Sequence, residues 1–340
     1  PRAERTVRKT VKLLAMAAES AGLPQGAVSC LGTVSKEGTM ALVGHPLTSL
    51  VIHTGAPGLL KASRDSGKPL ICGGIGPSPV FIERTADVKR AVGQIIASRS
   101  FDCGTSAAAE QYVVADQQIA AQARQEMISQ GAYFMNEEEE ALLMDLLGPK
   151  GGREAEYMGK PAVWLAKRAG FQVPEDIKGL VSQQKYITDF NPYAGALLCP
   201  VLVFYIENDW MYACEKCMEL LVNESCGHTL VIHSEDQDVI RQFMLKKPVG
   251  RILINTPAAF GAMGATTNLF PSMILGGLSA GLGITSDNVS PMNLVYMRNA
   301  AWGVREVSEL EGFHESGTGR TEAALDVTGL LKTILRQLED

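Results

Sequence analysis

SLVIHTGAPGLLKASRDSG, Ser49 to Gly67, is the stretch on which the fold turns. An apolar run ends at a glycine-bearing turn, Thr54 to Gly58, and helix-forming GLLKASRDSG follows. Strand, turn and helix in that order is the βα unit of a parallel nucleotide-binding sheet. Thr54, Gly55, Pro57 and Gly58 are therefore candidate cofactor contacts, since such a turn can offer backbone N–H groups to a pyrophosphate at a helix N-terminus. The turn is not a full GxGxxG fingerprint, and a glycine turn after an apolar strand also serves any α/β protein.

The alternation continues outward from that unit. Upstream, residues 5–22 read as a helix closed by Gly22 and Pro24, and AVSCLG (27–32) and TMALVGH (39–45) as short strands. Downstream, PLICGG (69–74) and PVFIE (79–83) are strands and TADVKRAVGQIIASRS (85–100) an amphipathic helix. QYVVAD (111–116) is a strand, QIAAQARQEMISQGAYF (118–134) a helix, and NEEEEALLMDLLG (136–148) another. The acidic run Glu137 to Glu140 reads as the solvated first turn of that helix, where the helix dipole favours negative charge. ALLCPVLVFYIEN (196–208) is an apolar strand and WMYACEKCMELLVNES (210–225) a helix. HTLVIHS and GRILINTP are strands, and the ending ALDVTGLLKTILRQLED (324–340) a helix. A glycine-rich tract from Phe260 to Ser290 suits loops around a site. The pattern predicts an α/β protein with a Rossmann-type parallel sheet.

Composition narrows the function classes. The chain has 340 residues and a formal net charge of −6, which argues against nucleic acid and anionic membranes as partners. No apolar run approaches the roughly 20 residues needed to span a bilayer. Seven cysteines at irregular spacing do not form a secreted disulfide framework, so a cytoplasmic setting is expected. The opening RAERTVRKTVKLLAMAAES is basic and amphipathic like a transit peptide, but Glu4 and Glu19 favour an ordinary surface helix.

Cys214, Cys217, Cys226 and His228 carry zinc-ligand residue types, but the first two lie within an apolar helix pattern, with no turn between them. Buried inert cysteines are the reading preferred, and no metal is expected. His228 sits in a loop between helix and strand, where function concentrates. His45 and His53 stand near strand ends without an identifiable partner, and no GxSxG elbow supports a serine hydrolase.

PRAERT, HTGAPGLLKAS, VFIERTADVKRAVGQIIASRSFDCGTSAAAEQ, CGHT, GRILINTP and SDNVSP, in that order, resemble the CoA-acylating aldehyde dehydrogenases. Typical members carry HPRAKK, TGGPGMVKAA, FDNGTICASEQ, GHT and SENVSPxHL. The resemblance implies an aldehyde-dehydrogenase-like fold: a partial nucleotide domain (1–98), a catalytic thiol domain (99–294) and a C-terminal return segment (295–340). It implies on the order of a hundred further residues ahead of Pro1, an ordinary domain-sized segment. It also implies NAD, with NADP as the alternative, coenzyme A as co-substrate, and a homo-oligomer with a β arm near the C-terminus.

The chemistry implied is attack of a cysteine thiolate on an aldehyde, hydride transfer to nicotinamide, and release of the resulting thioester to CoA. Laid on FDNGTICASEQ, the nucleophile falls at Ala107, and a methyl group cannot form the hemithioacetal. Cys103, at the asparagine of the family pattern, is a displaced thiol, and His228 matches the histidine of GHT. The glutamate base of hydrolytic relatives falls at Gly73 when GGIGPSP is laid on ELGGKSP, which suits thiolysis over hydrolysis. Gly76, Asn255, Pro257, Gly261 and Gly264 complete the candidate cofactor contacts. Other departures are Ala196 for a glutamate, Asn293 for the histidine of PxHL, Pro77 for the asparagine of GPGNVP, and a loosened glycine tract.

Two readings follow. The chain is a CoA-acylating aldehyde dehydrogenase, inactive in this form, with Ala107 a deliberate change. Alternatively it is a natural non-catalytic paralogue that binds nucleotide or CoA, or an assembly subunit of a multienzyme complex or bacterial microcompartment.

Overall fold

Strands that read as unbroken apolar runs need both faces covered. The computed structural model supplies that cover; it describes residues 3–55, 57–73, 78–149, 154–186, 191–223, 228–277 and 283–306. β1 (Val51–His53) and β2 (Leu70–Cys72) pair in parallel as a small sheet, with α3 (Pro57–Asp65) as the crossover. β3 (Ser78–Ile82), β4 (Glu110–Asp116), β5 (Ala132–Phe134), β6 (Gly179–Gln183), β7 (Val201–Glu207), β8 (Thr229–His233) and β9 (Arg251–Ile254) form a second sheet. Its order is β5-β6-β7-β4-β3-β8-β9, and every pairing is parallel.

The remaining helices are α1 (Glu4–Ser20), α2 (Lys36–Gly44), α4 (Val88–Ser100), α5 (Ala120–Ser129), α6 (Glu137–Leu147), α7 (Glu154–Tyr157), α8 (Ala162–Ala169), α9 (Trp210–Asn223), α10 (Gln237–Lys246) and α11 (Ala258–Ala262). Alternate residues of the central strands feed two cores, as the two-residue period of a strand requires. Phe81, Tyr112, Val114 and Val203 pack against Leu143, Leu165, Cys217 and Phe243 from α6, α8, α9 and α10. Phe81 and Phe243 stack with ring centroids 5.3 Å apart. On the other face, Val80, Ile82, Val113 and Leu202 meet Val92, Ile95, Ala123 and Ala258 from α4, α5 and α11. The large sheet thus runs from β3 onward, so residues 78–98 share it with 99–294.

The glycine-rich tract ties the two sheets together. Gly277 N–H donates to Cys72 O (3.3 Å) and Ile284 N–H to Leu70 O (3.0 Å). Arg251, at the start of β9, donates to Gly276 O and Ser286 O at 2.9 Å each.

The chain divides into one unit, Pro1–Leu294, and a second, Val295–Asp340. The described part of the second unit, 295–306, has no helix or strand and exposes Tyr296, Met297, Trp302 and Val304. The helix expected at 324–340 lies outside the described residues.

Three local readings change. TMALVGH is not a strand but most of α2, whose N-terminus is capped by Ser35 Oγ accepting Gly38 N–H at 2.9 Å. A short apolar run has no period that separates strand from helix, and the cap decides it. AVSCLG forms turns and bends. The helix expected over 118–134 stops at Ser129, and Ala132–Phe134 becomes β5 after Gly131, which has φ +103°. β6 and α10 carry no expectation from the sequence. The acidic run does open α6, where Asn136 and Glu139 form a reciprocal capping box.

Candidate active site

The loop from Phe101 to Ala109 lies at the N-terminal edge of the large sheet, between α4 and β4. Asp102 and Cys103 have φ of 47° and 50°, and Gly104 follows at 77°. Three successive left-handed residues make a sharp reversal that L side chains resist. A Cβ at Gly104 would lie 2.5 Å from both the carbonyl carbon and oxygen of Cys199, so only glycine fits. Thr105 closes the reversal, its hydroxyl donating to Asp102 Oδ2 at 2.6 Å. Phe101 packs on Phe260 with centroids 4.9 Å apart.

Beyond the loop, Glu110 and Gln111 anchor it. Gln111 Nε2 donates to Tyr193 O (3.1 Å) and Gly195 O (2.8 Å), and its Oε1 accepts Leu197 N–H at 2.8 Å. Arg99, buried at the end of α4, donates to Leu197 O and Gln111 Oε1. Burial pulls its guanidinium down to about 10. The Glu110 carboxyl is fully buried; its Oε1 accepts Ala258 N–H at 2.7 Å, while Oε2 has no hydrogen-bond partner among the described residues. Desolvation raises this carboxyl to about 7 against hydrogen bonds and Arg99, which act to lower it.

Ala107 lines a pocket of about 200 Å³. Its walls are the loop itself (Phe101, Asp102, Thr105, Ser106, Ala107, Ala108), α11 and the residue after it (Ala259, Met263), and the glycine-rich tract (Ser272, Met273, Leu275). Asp102 is the charged member of that lining. A methyl group at 107 leaves the pocket without a nucleophilic atom at this position.

Cys103 is partly exposed and does not belong to the pocket lining. His228 is buried at the start of β8, two strands from β4 and so about 10 Å across the same sheet edge. Its Nδ1 lies 2.9 Å from Thr229 Oγ1, and its carbonyl accepts Arg251 Nη1 at 2.8 Å. A Cβ at Gly73 would sit 2.8 Å from Leu275 O, so a side chain at this position would require the backbone of Leu275 to shift.

The candidate cofactor residues separate into two places. Thr54, Gly55 and Gly58 form the exposed turn from β1 into α3, with Pro57 opening the helix. Gly55 has φ +67°, and a Cβ on Gly55 or Gly58 meets nothing within 4 Å. This open turn at a helix N-terminus fits a dinucleotide pyrophosphate. Asn255 instead occupies the opposite, C-terminal edge of the large sheet, where its side chain bonds Ser234 N–H and O at 3.0 and 2.9 Å. Pro257 caps α11, Gly261 lies within it against Thr256 and Leu253, and Gly264 follows it at φ +83°. These three lie in and around α11, the stretch that gives the pocket Ala259 and Met263, but they do not line it themselves. Gly76 and Pro77 lie outside the described residues, as does Cys226. Cys214 and Cys217 are buried on α9; Lys247 Nζ reaches Cys214 Sγ at 2.8 Å, and burial pushes the Cys217 thiol up to about 12. Ala196 is partly buried, and Asn293 closes the SDNVSP turn through Ser290 N–H (2.8 Å) and Asp287 Oδ2 (2.9 Å).

The sequence pattern does not single out Ser98, Glu110, Met263, Ser272 or Met273. Glu110 stands in the motif loop as frame; the others come together only through chain segments about 150 residues or more apart.

A profile of the aldehyde dehydrogenase family matches residues 2–138. A probable aldehyde dehydrogenase from Listeria monocytogenes superposes with TM-score 0.85 at 41% identity, covering 91% of this chain and 68% of that one. On that likeness, this chain belongs to the aldehyde dehydrogenase family. Its relatives are of the acylating kind. An acetylating aldehyde dehydrogenase from Geobacillus thermoglucosidasius gives TM-score 0.84 at 39% identity, covering 88% of this chain and 66% of that one. The bifunctional aldehyde-alcohol dehydrogenase AdhE of Escherichia coli K12 is 35% identical over 306 residues, 88% of this chain and 34% of AdhE. The chain thus spans about a third of that curated relative and about two thirds of the solved ones. More distant solved relatives include a Rhodopseudomonas palustris propionaldehyde dehydrogenase with bound CoA and an acylated cysteine (25% identical). Others are an engineered glycolyl-CoA reductase with bound NADP+ (26%) and a propionaldehyde dehydrogenase from a Clostridium phytofermentans microcompartment (27%). No helix among the described residues is long and apolar enough to cross a membrane.

Proposed function

We propose that this chain carries the acyl-binding site of a CoA-acylating aldehyde dehydrogenase with a methyl group in place of its nucleophilic thiol. The observation that supports it is Ala107 lining a largely apolar pocket within a loop that keeps Phe101, Asp102, Gly104, Thr105, Glu110 and Gln111 of the family pattern. The chain then holds an aldehyde or acyl group without forming the covalent thioester. His228, on the same sheet edge two strands away, would serve the loop as a base or cofactor contact, and Cys103 lies outside the pocket lining.

The pocket favours an uncharged aliphatic chain. Phe101, Met263, Met273 and Leu275 are apolar, methionines adapt to irregular shapes, and Asp102 repels a carboxylate or sulfonate. The N–H groups at the start of α3 would hold the pyrophosphate of NAD or NADP, with Thr54, Gly55 and Gly58 leaving its approach open. That dinucleotide supplies the hydride acceptor of the family reaction, and CoA its acyl acceptor. A homo-oligomer in the cytoplasm or in a microcompartment goes with this reading, and sedimentation tests the oligomer.

The decisive experiment is Ala107→Cys incubated with butyryl-CoA. Transfer of the acyl group from CoA sulfur to the introduced thiol, with release of CoA thiol, adds one acyl group to the intact mass. The unaltered chain shows no such increase. Failure of the variant to acquire the acyl group at residue 107 would overturn the assignment of the pocket.

A further inference from the structure

One buried carboxyl joins the two walls of the pocket beneath its lining. Glu110 begins β4, three residues beyond Ala107, and takes Ala258 N–H at 2.7 Å. Ser98 Oγ, which faces the same carboxyl, takes the next N–H, that of Ala259, at 2.9 Å. Ala259 and Met263 are one wall, and Ala107 and Ala108 the other. α11 has only five residues, too short to hold its place by its own hydrogen bonds, so these two ties position it.

The surroundings of Glu110 are sparse in charge. From α4 come Ser98 and the guanidinium of Arg99, from α11 backbone N–H alone, and from β3 the hydroxyl of its register partner Ser78. Ser78 Oγ and Glu110 Oε2 are both buried without a hydrogen-bond partner among the described residues. An ionised carboxylate binds an N–H about twice as strongly as a neutral acid does.

We propose that Glu110 is a positioning residue for the acyl pocket: its ionised carboxyl holds α11 against the loop at 101–109, and proton uptake there loosens the wall. The carboxyl is placed for this role near neutrality, because burial sets it at about 7. The proposal rests on the pocket being the acyl site, and its test keeps the two apart.

Calorimetry of the unaltered chain with butyryl-CoA and with free CoA, from pH 8 to pH 6, reads the pocket as the ratio of the two affinities. That ratio is expected to fall about threefold to fivefold around pH 7, the gap between a charge-assisted and a neutral hydrogen bond. In Glu110→Gln it is expected to be flat. A flat profile in the unaltered chain, or the same profile in Glu110→Gln, overturns the proposal. Equal affinity for butyryl-CoA and CoA at every pH would instead sink the acyl-site reading. Amide exchange in the ligand-free chain then decides on Glu110. Protection of Ala258 and Ala259, corrected for intrinsic exchange, should drop below pH 7, and protection unchanged with pH refutes the positioning role.

Discussion

Gly55 and Gly104 both sit in turns at positive φ, and the two turns are built for different purposes. Gly55, at the end of β1, has φ +67° and open space where a side chain would go. Gly104, before β4, has φ +77° and is pressed against the backbone of Cys199 and Pro200. The first turn is exposed and adds little to packing; the second is wedged into the core. Open space beside a helix N-terminus is what a ligand needs, whereas a filled one reports on folding. The same contrast runs through their surroundings. α1 and α2 bury no residue, whereas β3 and β4 are buried along their whole length.

The contrast also bears on the proposal that the loop at 101–109 keeps the signature of a nucleophile loop without its thiol. Phe101 packs on Phe260, Asp102 and Thr105 close the reversal, Gly104 admits Cys199, Glu110 holds α11 and Gln111 holds the 193–197 segment. Each surviving motif residue has a structural task. Its presence therefore testifies to the fold and is silent about catalysis.

The largest effect expected is that of Gly104→Ala. The new methyl would stand 2.5 Å from Cys199 carbon and oxygen at a backbone angle it resists, and neither neighbour is a side chain that could swing aside. Urea unfolding should show a loss of about 3 kcal/mol or more, the range of strained and overpacked core positions. A loss under about 1 kcal/mol would mean that the loop is not wedged, and the contrast with Gly55 would collapse.

Next in size is the pH dependence imposed by Glu110. Its carboxyl rises from 4.5 to about 7 on folding, so between those values the folded chain holds a proton that the unfolded chain has released. Stability from this group is therefore full below pH 4.5, falls as pH rises towards 7, and is level above it. Spread over that window the loss is about 3 kcal/mol. The difference in stability between Glu110→Gln and the unaltered chain, measured from pH 4.5 to 8, should trace that curve. A difference independent of pH would refute it. The ionised state that tightens the pocket is thus the state that destabilises the fold, a trade expected of a functional residue and not of a purely structural one.

Much of the architecture is legible in the amino-acid sequence itself. The α/β alternation follows from apolar runs such as Val201–Glu207, because strands covered on both faces have no polar side to break the run. TMALVGH reads as a strand although it is helical, because four successive apolar residues fit strand and helix alike, and only Ser35 as a cap separates them. β6 leaves no clear signal because Gly179, Ser182 and Gln183 dilute its apolar pattern. At the site, Ala107 emerges from the motif around it. Met263 and Met273 cannot, since a pocket wall assembled from distant segments leaves no local spacing to read. Asn255 looks like a ligand contact by residue type, yet its amide is spent on Ser234 at the far edge of the sheet.

A smaller loss is expected at the open turn. Gly55→Ala meets no atom within 4 Å, so only its left-handed backbone resists, at about 1 kcal/mol. Thermal unfolding should show a modest shift. A loss as large as that of Gly104→Ala would mean that the turn is packed in a way that its surroundings do not show.

The smallest effect on stability, and the most informative for function, is Gly58→Ala. Gly58 is the second residue of α3, its backbone is helical, and a methyl there touches nothing within 4 Å. Replacing glycine by alanine inside a helix raises stability by up to about 1 kcal/mol, so the melting temperature should hold or rise slightly. If the N-terminus of α3 holds a pyrophosphate, the same methyl intrudes on the closest approach of the ligand to the backbone. NAD affinity measured by calorimetry should then fall about tenfold, a penalty of about 1.4 kcal/mol. The two readings move in opposite directions, which a folding defect cannot produce. Unchanged NAD affinity in a folded Gly58→Ala chain would remove the turn from the nucleotide site while leaving the pocket at Ala107 untouched.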